Sequence, residues 1–381
     1  MTDDSFAFLT AGAIRFGRGT GAGVAPAVAR HGTRVLLVHG AQAARSAWLR
    51  RDLETAGCSV TAFACPREPD VALVEAGVAA ARNAGASVVV SLGGGAVIDL
   101  GKAVAALVPA TRPMLDHLEV VGQGAPLDHP PLPFVAVPTT SGTGAEVTKN
   151  AVISVPDARR KVSLRDDRML PVLAVVDPAL TDGAPRAVTL ASGLDAVTQV
   201  IEPYVCNRAN RLTDALCRDA IPLGLSALVR LMTGEDPRAR DDMAWVSLCG
   251  GLALANAGLG AVHGLAGPVG GVSNAPHGAV CGVLLPHVVA ANGAVATGQA
   301  AARIAEVRGW IADTLGGVPD DAPDTLATWS AAQGLPGLGA MGLDRVDLAG
   351  VAAAAAGSSS MKANPVPLGA DMLEAVLERA F

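Results

Sequence analysis

The stretch Ser87–Asp99, SVVVSLGGGAVID, decides the fold, because an apolar run passes through three glycines straight into a helix-forming segment. The run is continuously apolar, which is typical of a strand covered by helices on both faces of a parallel sheet. Glycines at such a junction let backbone N–H groups approach a phosphate, and the helix N-terminus adds partial positive charge. The triplet alone does not establish a ligand, because a tight strand-to-helix turn without one has the same sequence.

The same pattern recurs through the first half of the chain. Residues 41–56 and 71–84 lie between short β-rich runs and are long enough for crossover helices, so the pattern predicts a Rossmann-like parallel α/β sheet. Residues 151–155 and 161–164 are two further β-like runs, and the Pro-Asp-Ala between them predicts a hairpin. The other predicted strands are Arg34–Val38, Ser59–Phe63, Phe134–Val137 and Leu173–Val176.

The character of the sequence changes after Asp177, where β-rich runs give way to long helical segments. A chain of 381 residues fits two domains, so we expect an α/β domain at 1–184 and an all-helical domain at 185–381. The predicted helices of the second domain are Ser192–Tyr204, Arg211–Leu231, Ala239–Ala257, Ala300–Leu315 and Ala370–Ala380.

Charge and composition exclude several classes of protein. A net charge of −6 argues against a broad nucleic-acid surface, which needs clustered Lys and Arg. Residues 243–302 carry no charged side chain, but Gly, Pro, Asn and His interrupt the stretch, so we reject a membrane span. The opening Met1–Asp4 is acidic and leads into no signal segment, and the six cysteines form no CxxC pair. These features predict a cytoplasmic protein with reduced core thiols.

A hydroxyl-rich loop follows a second predicted strand. Phe134–Val137 leads into Pro138–Thr148, PTTSGTGAEVT, which contains three Thr, one Ser and two Gly within six positions. A turn that only reverses the chain does not need these hydroxyl groups, which suit an anionic or ribosyl ligand. Loops after strands of one parallel sheet converge beyond the strand C-termini, so this loop and the glycine triplet predict one binding site.

Six motifs occur in order along the chain: GGGAVIDLGKAVA, PTTSGTGAEVTKNAVI, VVDPALT, ASGLDAVTQVIEPYV, GAVHGLAGPVGG and APHGAVCGVLLPHV. Together they resemble the iron-containing (group III) alcohol dehydrogenase family over nearly the whole chain. The resemblance implies a dehydroquinate-synthase-like architecture, a homodimer or larger homo-oligomer, and an alcohol or aldehyde as the small-molecule substrate. It also implies that NAD(P) binds at Gly94, Gly95, Asp99, Thr139, Thr140, Thr143 and Lys161.

The segment after the first long strand bears on the choice between NAD and NADP. Residues 38–42 read VHGAQ, with Gly40 where many NAD-using relatives of the resembled family carry Asp. An acidic residue there accepts a hydrogen bond from the ribose 2′-hydroxyl and repels a 2′-phosphate. Gly40 does not repel a phosphate, and His39 or Arg45 is available to bind one, so we expect NADP or dual cofactor use.

Polar residues stand out in the predicted helical domain. Ser192–Asp195 fits a capping box at a helix start, so Asp195, considered without the other residues, is interpreted as a capping carboxylate. His263 and His277, each considered by itself in an apolar segment, are interpreted as core histidines. In the resembled family an Asp, a His four residues later and two later His bind a divalent metal. Asp195, His263 and His277 match three of these positions, whereas the fourth is Gln199.

The three matched residues form a 2-His-1-carboxylate set, which suits Fe(II) and also holds Zn(II). The amide oxygen of Gln199 is a poorer ligand than imidazole, so we expect weak metal binding or loss of the ion. Gly267 stands where the resembled family has a further histidine, which enlarges the substrate pocket and removes a proton relay. No separate general base stands out, so the sequence leaves the catalytic residue unassigned.

These features predict a metal-assisted oxidoreductase that transfers a hydride between NAD(P)(H) and an alcohol or aldehyde. Three alternatives stay open. A maleylacetate-reductase-like enzyme keeps the cofactor without the metal but needs cationic anchors, which the site region lacks apart from Lys161. A dehydroquinate-synthase-like lyase needs more basic groups for a phosphorylated substrate. A catalytically inactive cofactor-binding homologue is suggested by the two replaced histidines.

Overall fold

The computed structural model describes residues 5–273 and 275–381, so the acidic opening Met1–Asp4 lies outside the described residues. The chain folds into two compact units. Among the described residues, the α/β unit contains 9–140 and 144–182, and the helical unit contains 5–8, 141–143, 183–273 and 275–381. Residues 141–143, in the loop after β-strand residue 138, therefore cluster with the helical unit. The predicted division at 184/185 placed them in the α/β domain.

Parallel strands form the framework of the α/β unit. The strands are β1 Ile14–Phe16, β2 Arg34–Gly40, β3 Ser59–Cys65, β4 Val88–Gly93, β5 Phe134–Pro138, β6 Asn150–Val155, β7 Arg160–Arg165 and β8 Leu173–Val176. One sheet has the order β1-β8-β5-β4-β2-β3 with every neighbouring pair parallel, which confirms the five strands predicted for it. The edge strand β1 escaped prediction because it has three partly exposed residues.

Helices cover both faces of this sheet. Val89 belongs to one buried apolar cluster and Val88 and Val90 to another, since successive side chains of a strand point to opposite faces. Burial on both faces explains the continuously apolar strand sequences. Strands β6 and β7 pair antiparallel in a separate two-stranded sheet, which confirms the predicted hairpin. The helices of the unit are α1 Val24–Ala29, α2 Ala47–Thr55, α3 Val71–Asn83, α4 Gly95–Leu107 and α5 Met114–His117.

The helical unit packs long helices around a shared apolar core. Its helices are α6 Arg186–Val205, α7 Arg211–Thr233, α8 Pro237–Asn256, α9 Ala261–Val272, α10 His277–Val295, α11 Gly298–Leu315, α12 Ala322–Ala332, α13 Leu348–Ala356 and α14 Ala370–Arg379. By length and composition α10 could cross a membrane, as could α8 and α9 if taken as one span bent by 94°. Val280, Leu284 and Val288 of α10 are buried in the core of the unit, and core helices of globular proteins pass the same test.

Helix α6 begins at Arg186, so the prediction that Ser192 opens it is wrong. Pro185 lies at the N-cap, and its carbonyl accepts a hydrogen bond from the amide of Thr189 at 2.9 Å. Gly193 is accommodated inside the helix because a Cβ there would lie only 2.5 Å from Leu228 of α7, so close helix packing requires it. The residues after Ser192 therefore lie in the helix interior, where a carboxylate has no capping role.

The fully buried Lys102 of α4 anchors the loop that follows β5. Its Nζ donates to the carbonyl oxygens of Ala145, Thr148 and Asn150 at distances of 2.7, 2.8 and 2.9 Å. Burial lowers the pKa of Lys102 to about 8 and raises the pKa of the neighbouring Glu146 to about 7. The three carbonyl groups replace the water molecules that the ammonium group loses on burial, and the lysine is their hydrogen-bond donor.

We expect Lys102→Met to lower the free energy of unfolding by about 3 kcal/mol or more, because it leaves buried carbonyl groups without a donor. Lys149→Met is the matched control, since Lys149 forms a 2.6 Å ion pair with the largely exposed Asp167. That change should cost less than about 1 kcal/mol. Urea denaturation of both variants measures the difference, and equal losses would contradict an anchoring role for Lys102.

Candidate metal centre and cofactor site

The N-terminus of α4 lies beside the hydroxyl-rich loop. Gly94 is the N-cap of α4, and a Cβ at Gly94 would lie 3.2 Å from Thr140 Oγ1. The amide of Thr139 donates to the carbonyl of Gly93 at 2.9 Å. The structure therefore brings the glycine triplet and both threonines together where the adjacent strands β4 and β5 end.

Two other residues predicted for the cofactor contact parts of the α/β unit. Asp99 lies in the second turn of α4, and its Oδ2 accepts a hydrogen bond from the amide of Val152 in β6 at 3.2 Å. Lys161 in β7 forms an ion pair with Glu68 and is itself largely buried. Asp99 therefore ties the hairpin to α4, and Glu68 fixes the ammonium group of Lys161.

Gly40 ends β2 and has space around it. A Cβ at Gly40 would have only Val97 near it, at 4.0 Å, so the backbone leaves room for a side chain. His39 is buried, with Nδ1 2.7 Å from the carbonyl oxygen of Gly40, whereas Arg45 is exposed. Of the two residues predicted to meet a 2′-phosphate, Arg45 is the one that solvent reaches.

Four side chains of the helical unit converge on one buried point. One ligand atom from each of Asp195, His263, His277 and Cys281 lies within 4.8 Å of the others. Asp195 Oδ1 is 3.6 Å from His263 Nε2 and 3.8 Å from His277 Nε2. Cys281 Sγ is 3.6 Å from His277 Nε2. Helices α6, α9 and α10 thus bring together a carboxylate, two imidazoles and a thiol.

Two of these atoms have no hydrogen-bond partner among residues 5–273 and 275–381. They are Asp195 Oδ1 and His263 Nε2, and both are buried. Their separation of 3.6 Å is too long for a hydrogen bond between them. A buried polar atom without a partner is rare in native proteins because its desolvation is not compensated. Coordination of one divalent ion would satisfy both atoms, so the donor set fits a metal.

Glu202 orients one of the two imidazoles. Its Oε2 lies 2.6 Å from His263 Nδ1, and its Oε1 accepts a hydrogen bond from the amide of Val262 at 2.6 Å. In the neutral imidazole this contact places the proton on Nδ1 and leaves the Nε2 lone pair facing Asp195. A carboxylate behind the imidazole is typical of metal-ligating histidines.

The pKa values in the cluster follow from burial and from the opposing charges. Burial alone would raise the pKa of Asp195, but His277 and His263 lower it below its ordinary value. Burial alone would lower the pKa of both imidazoles, but Cys281 and Asp195 raise it above the ordinary value. The acidic groups of the cluster therefore favour positive charge on the two imidazoles in spite of their burial.

Gln199 follows Asp195 by one turn of α6, and its amide nitrogen donates to the carbonyl of Thr143. Thr143 belongs to the part of the loop that clusters with the helical unit. A Cβ at Gly142 would lie 3.2 Å from the side chain of Ser192, so this part of the loop packs closely on α6. Gln199 thus holds the loop to the helix, and its role as a metal ligand stays a prediction.

Sequence reasoning missed Cys281 and Glu202 as residues of this site. Cys281 follows His277 by four residues and Glu202 follows Asp195 by seven, so each pair shares one face of a helix. This spacing is a signal that could have identified both residues. The cysteines were predicted to be core thiols, and all six are free and buried. Only the packing of α10 shows that one of them faces polar groups.

A parallel α/β unit with a glycine-rich helix start, followed by a helical unit with a buried carboxylate–histidine cluster, defines a two-unit protein with a candidate metal centre. The chain belongs to the iron-containing alcohol dehydrogenase family. The family described as "Iron-containing alcohol dehydrogenase" matches residues 11–178. The "Fe-containing alcohol dehydrogenase family, C-terminal" matches residues 189–381. The resemblance seen in the sequence motifs is confirmed.

Individual relatives agree with this assignment. The chain is 38% identical to lactaldehyde reductase of Escherichia coli (strain K12) over 241 residues, which are 63% of this chain and 62% of that protein. It is 38% identical to alcohol dehydrogenase 4 of Saccharomyces cerevisiae (strain YJM789) over 246 residues, 64% of this chain and 63% of that protein. The chain thus spans less than two thirds of the length of these curated relatives.

Solved structures confirm the predicted fold class. The crystal structure of 1,3-propanediol oxidoreductase superposes with a TM-score of 0.86 at 29% identity, covering 99% of this chain and 100% of that chain. The iron-containing alcohol dehydrogenase from Thermococcus thioreducens also gives a TM-score of 0.86, at 25% identity and 99% coverage of both chains.

We expect Glu202→Gln to weaken divalent-metal binding by about 10- to 100-fold, because His263 loses the carboxylate that orients it. Zn(II) competition with a chromophoric chelator measures the dissociation constant. Glu235→Gln is the control, since Glu235 forms an ion pair with Arg240 in the same unit and lies outside the cluster. An unchanged Zn(II) affinity in Glu202→Gln would show that this carboxylate does not support a metal ligand.

Proposed function

We propose that this chain is an oxidoreductase that transfers a hydride between NAD(P)(H) and an alcohol or aldehyde, assisted by Fe(II) or Zn(II) held by Asp195, His263 and His277. The observation that carries the proposal is the pair of buried, unsatisfied ligand atoms, Asp195 Oδ1 and His263 Nε2, in a chain of this family. Relatives named lactaldehyde reductase and alcohol dehydrogenase support this substrate class.

Each residue of the cluster has a distinct part in this proposal. A bound divalent ion supplies Lewis acidity that lowers the pKa of an alcohol, and a nicotinamide ring exchanges the hydride. Asp195 contributes the negative charge, and Glu202 holds His263 in its ligating orientation. The side chain of His277 is 32% exposed, against 3% for Asp195 and 7% for His263. His277 is therefore the imidazole of the cluster that solvent reaches, and a substrate oxygen would approach the ion from its side.

We propose that the cofactor binds to the α/β unit at the start of α4. The glycine backbone at Gly94 and Gly95 would receive the pyrophosphate, because helix N-termini attract anions. Thr139 and Thr140 place hydroxyl groups beside this helix start, which supports the assignment. The remaining residues of the proposed cofactor site on this unit are Gly40, Asp99 and Lys161, whereas Thr143, which the sequence also predicted, clusters with the helical unit.

The finer parts of the proposal are NADP use, assembly and compartment. We propose that the enzyme accepts NADP, because Gly40 leaves space and the nearby Arg45 is exposed. We propose a homodimer or larger assembly, and the edge strand β1, where Phe16 is 39% exposed, offers a surface for a second copy. Six free, buried thiols support a cytoplasmic location.

Turnover of a panel of alcohols and aldehydes, with NAD(H) and NADP(H) and after loading with Fe(II) or Zn(II), tests the function. We expect metal-dependent turnover that falls by about 100-fold or more in His277→Ala, because metal assistance supplies several kcal/mol of transition-state stabilisation. His287→Ala is the matched control, since His287 lies on the same helix α10 outside the cluster.

Two outcomes would contradict the proposal in different ways. Equal turnover by the wild type and His277→Ala, with and without metal, would favour a metal-independent reductase of the maleylacetate-reductase type. Cofactor binding without turnover of any member of the panel would favour an inactive cofactor-binding homologue.

We expect Gly40→Asp to shift cofactor preference toward NAD by about 1–2 kcal/mol, because a carboxylate at the end of β2 would repel the 2′-phosphate. The space around Gly40 accepts this side chain, so the fold should be unaffected. The ratio of kcat/KM values for NADP and NAD measures the shift. If the wild type already discriminates strongly against NADP, the role assigned to Gly40 is wrong.

A further inference from the structure

We propose that Cys281 is the fourth protein ligand of the metal, in the role that the sequence assigned to Gln199. The inference rests on the proposed function, because it concerns the ion held by Asp195, His263 and His277. It adds a thiolate that the three matched positions do not contain, and it changes which ion the site prefers.

Three of the six distances among the ligand atoms are close to those of a tetrahedral ligand shell, and all six are within 4.8 Å. Metal–nitrogen and metal–oxygen bonds of about 2.0–2.1 Å and a metal–sulfur bond of about 2.3 Å place tetrahedral ligand atoms about 3.3–3.6 Å apart. The separations are 3.6 Å from Cys281 Sγ to His277 Nε2, 3.6 Å from Asp195 Oδ1 to His263 Nε2 and 3.8 Å from Asp195 Oδ1 to His277 Nε2. One ion can therefore reach all four atoms after small side-chain shifts.

Helix packing holds the thiol in this position. Cys281 follows His277 by one turn of α10, so the two side chains share a helix face. A Cβ at Gly282 would lie 2.7 Å from Leu194, so α10 approaches α6 as closely as glycine permits. This close approach brings the face of α10 that carries both ligands up to Asp195.

The thiol lies beside two buried ligand atoms without a hydrogen-bond partner, and the amide nitrogen of the competing ligand Gln199 makes a contact of its own. The unsatisfied atoms Asp195 Oδ1 and His263 Nε2 belong to side chains that are 3% and 7% exposed, and both lie beside Cys281. The amide nitrogen of Gln199 donates to the carbonyl of Thr143, which turns one end of the amide toward the loop. Thiolate is also a stronger ligand for Zn(II) than an amide oxygen.

A thiolate changes the metal preference of the site. Soft ligands favour Zn(II), whereas an all-oxygen-and-nitrogen set of two histidines and one carboxylate suits Fe(II). We therefore expect this site to select Zn(II) over Fe(II) more strongly than the three matched ligands alone would. A tetrahedral Zn(II) site can add a fifth ligand, so four protein ligands still admit a substrate oxygen.

Co(II) substitution tests the thiolate directly, because a cobalt–thiolate bond gives a charge-transfer band in the near ultraviolet. The full-length chain is stripped of metal with a chelator and titrated with Co(II). We expect one equivalent of bound Co(II) with this band in the wild type. Cys281→Ser should still bind Co(II), without the band and with a dissociation constant raised by about 10-fold or more.

Cys217→Ser is the matched control, since Cys217 is also free and fully buried in the helical unit but lies outside the cluster. It should keep the band and the affinity of the wild type. One equivalent of Co(II) without the band in the wild type, or a band that persists in Cys281→Ser, would overturn the assignment of Cys281 and leave the proposed metal site intact. Failure of the wild type to bind Co(II) at all would overturn both.

A third variant separates the two candidates for the fourth position. If Gln199→Leu reduced Co(II) affinity as much as Cys281→Ser and the band were absent from the wild type, Gln199 would be the fourth ligand. If Gln199→Leu kept both the band and the wild-type Co(II) affinity, Gln199 would be excluded as the fourth ligand.

Discussion

The buried carboxylate of Asp195 is the constraint on which the arrangement of the helical unit depends. A carboxylate taken out of water is costly unless charged or hydrogen-bonding groups face it. In this chain those groups come from two other helices, with His263 on α9 and His277 on α10. Three helices must therefore pack before Asp195 faces both histidines, and close approach of α10 to α6 at Gly282 is part of the same requirement.

The polypeptide does not satisfy every buried polar atom of the cluster, and the unsatisfied atoms are potential metal ligands. Asp195 Oδ1 and His263 Nε2 find no hydrogen-bond partner in the described chain, although Glu202 satisfies the other side of the His263 ring. Such a cluster is stabilised by a cation more than by further packing. The packing of the helical unit and the proposed metal binding therefore involve the same four side chains, in which Cys281 Sγ lies 3.6 Å from His277 Nε2.

In the α/β unit the buried ammonium group of Lys102 fixes the loop after β5 through hydrogen bonds. Lys102 holds the carbonyl groups of the loop after β5, and the preceding part of that loop places Thr140 against Gly94 at the start of α4. The loop is fixed at a second point by the bond from Gln199 to Thr143 in the helical unit. Lys102 and Gln199 thus help to determine where the hydroxyl groups of the loop lie.

The sequence by itself determined five strands of the parallel sheet, the helical character of the second half and the family, because apolar periodicity and short motifs are local properties of the chain. It also indicated Asp195, His263 and His277 through the resemblance, but it placed the start of α6 wrongly, since a capping pattern does not reveal an upstream N-cap. Only the tertiary structure decided that Cys281 and Glu202 face the cluster. Periodicity gives the helix face that a side chain occupies, whereas the packing of distant helices decides what that face meets.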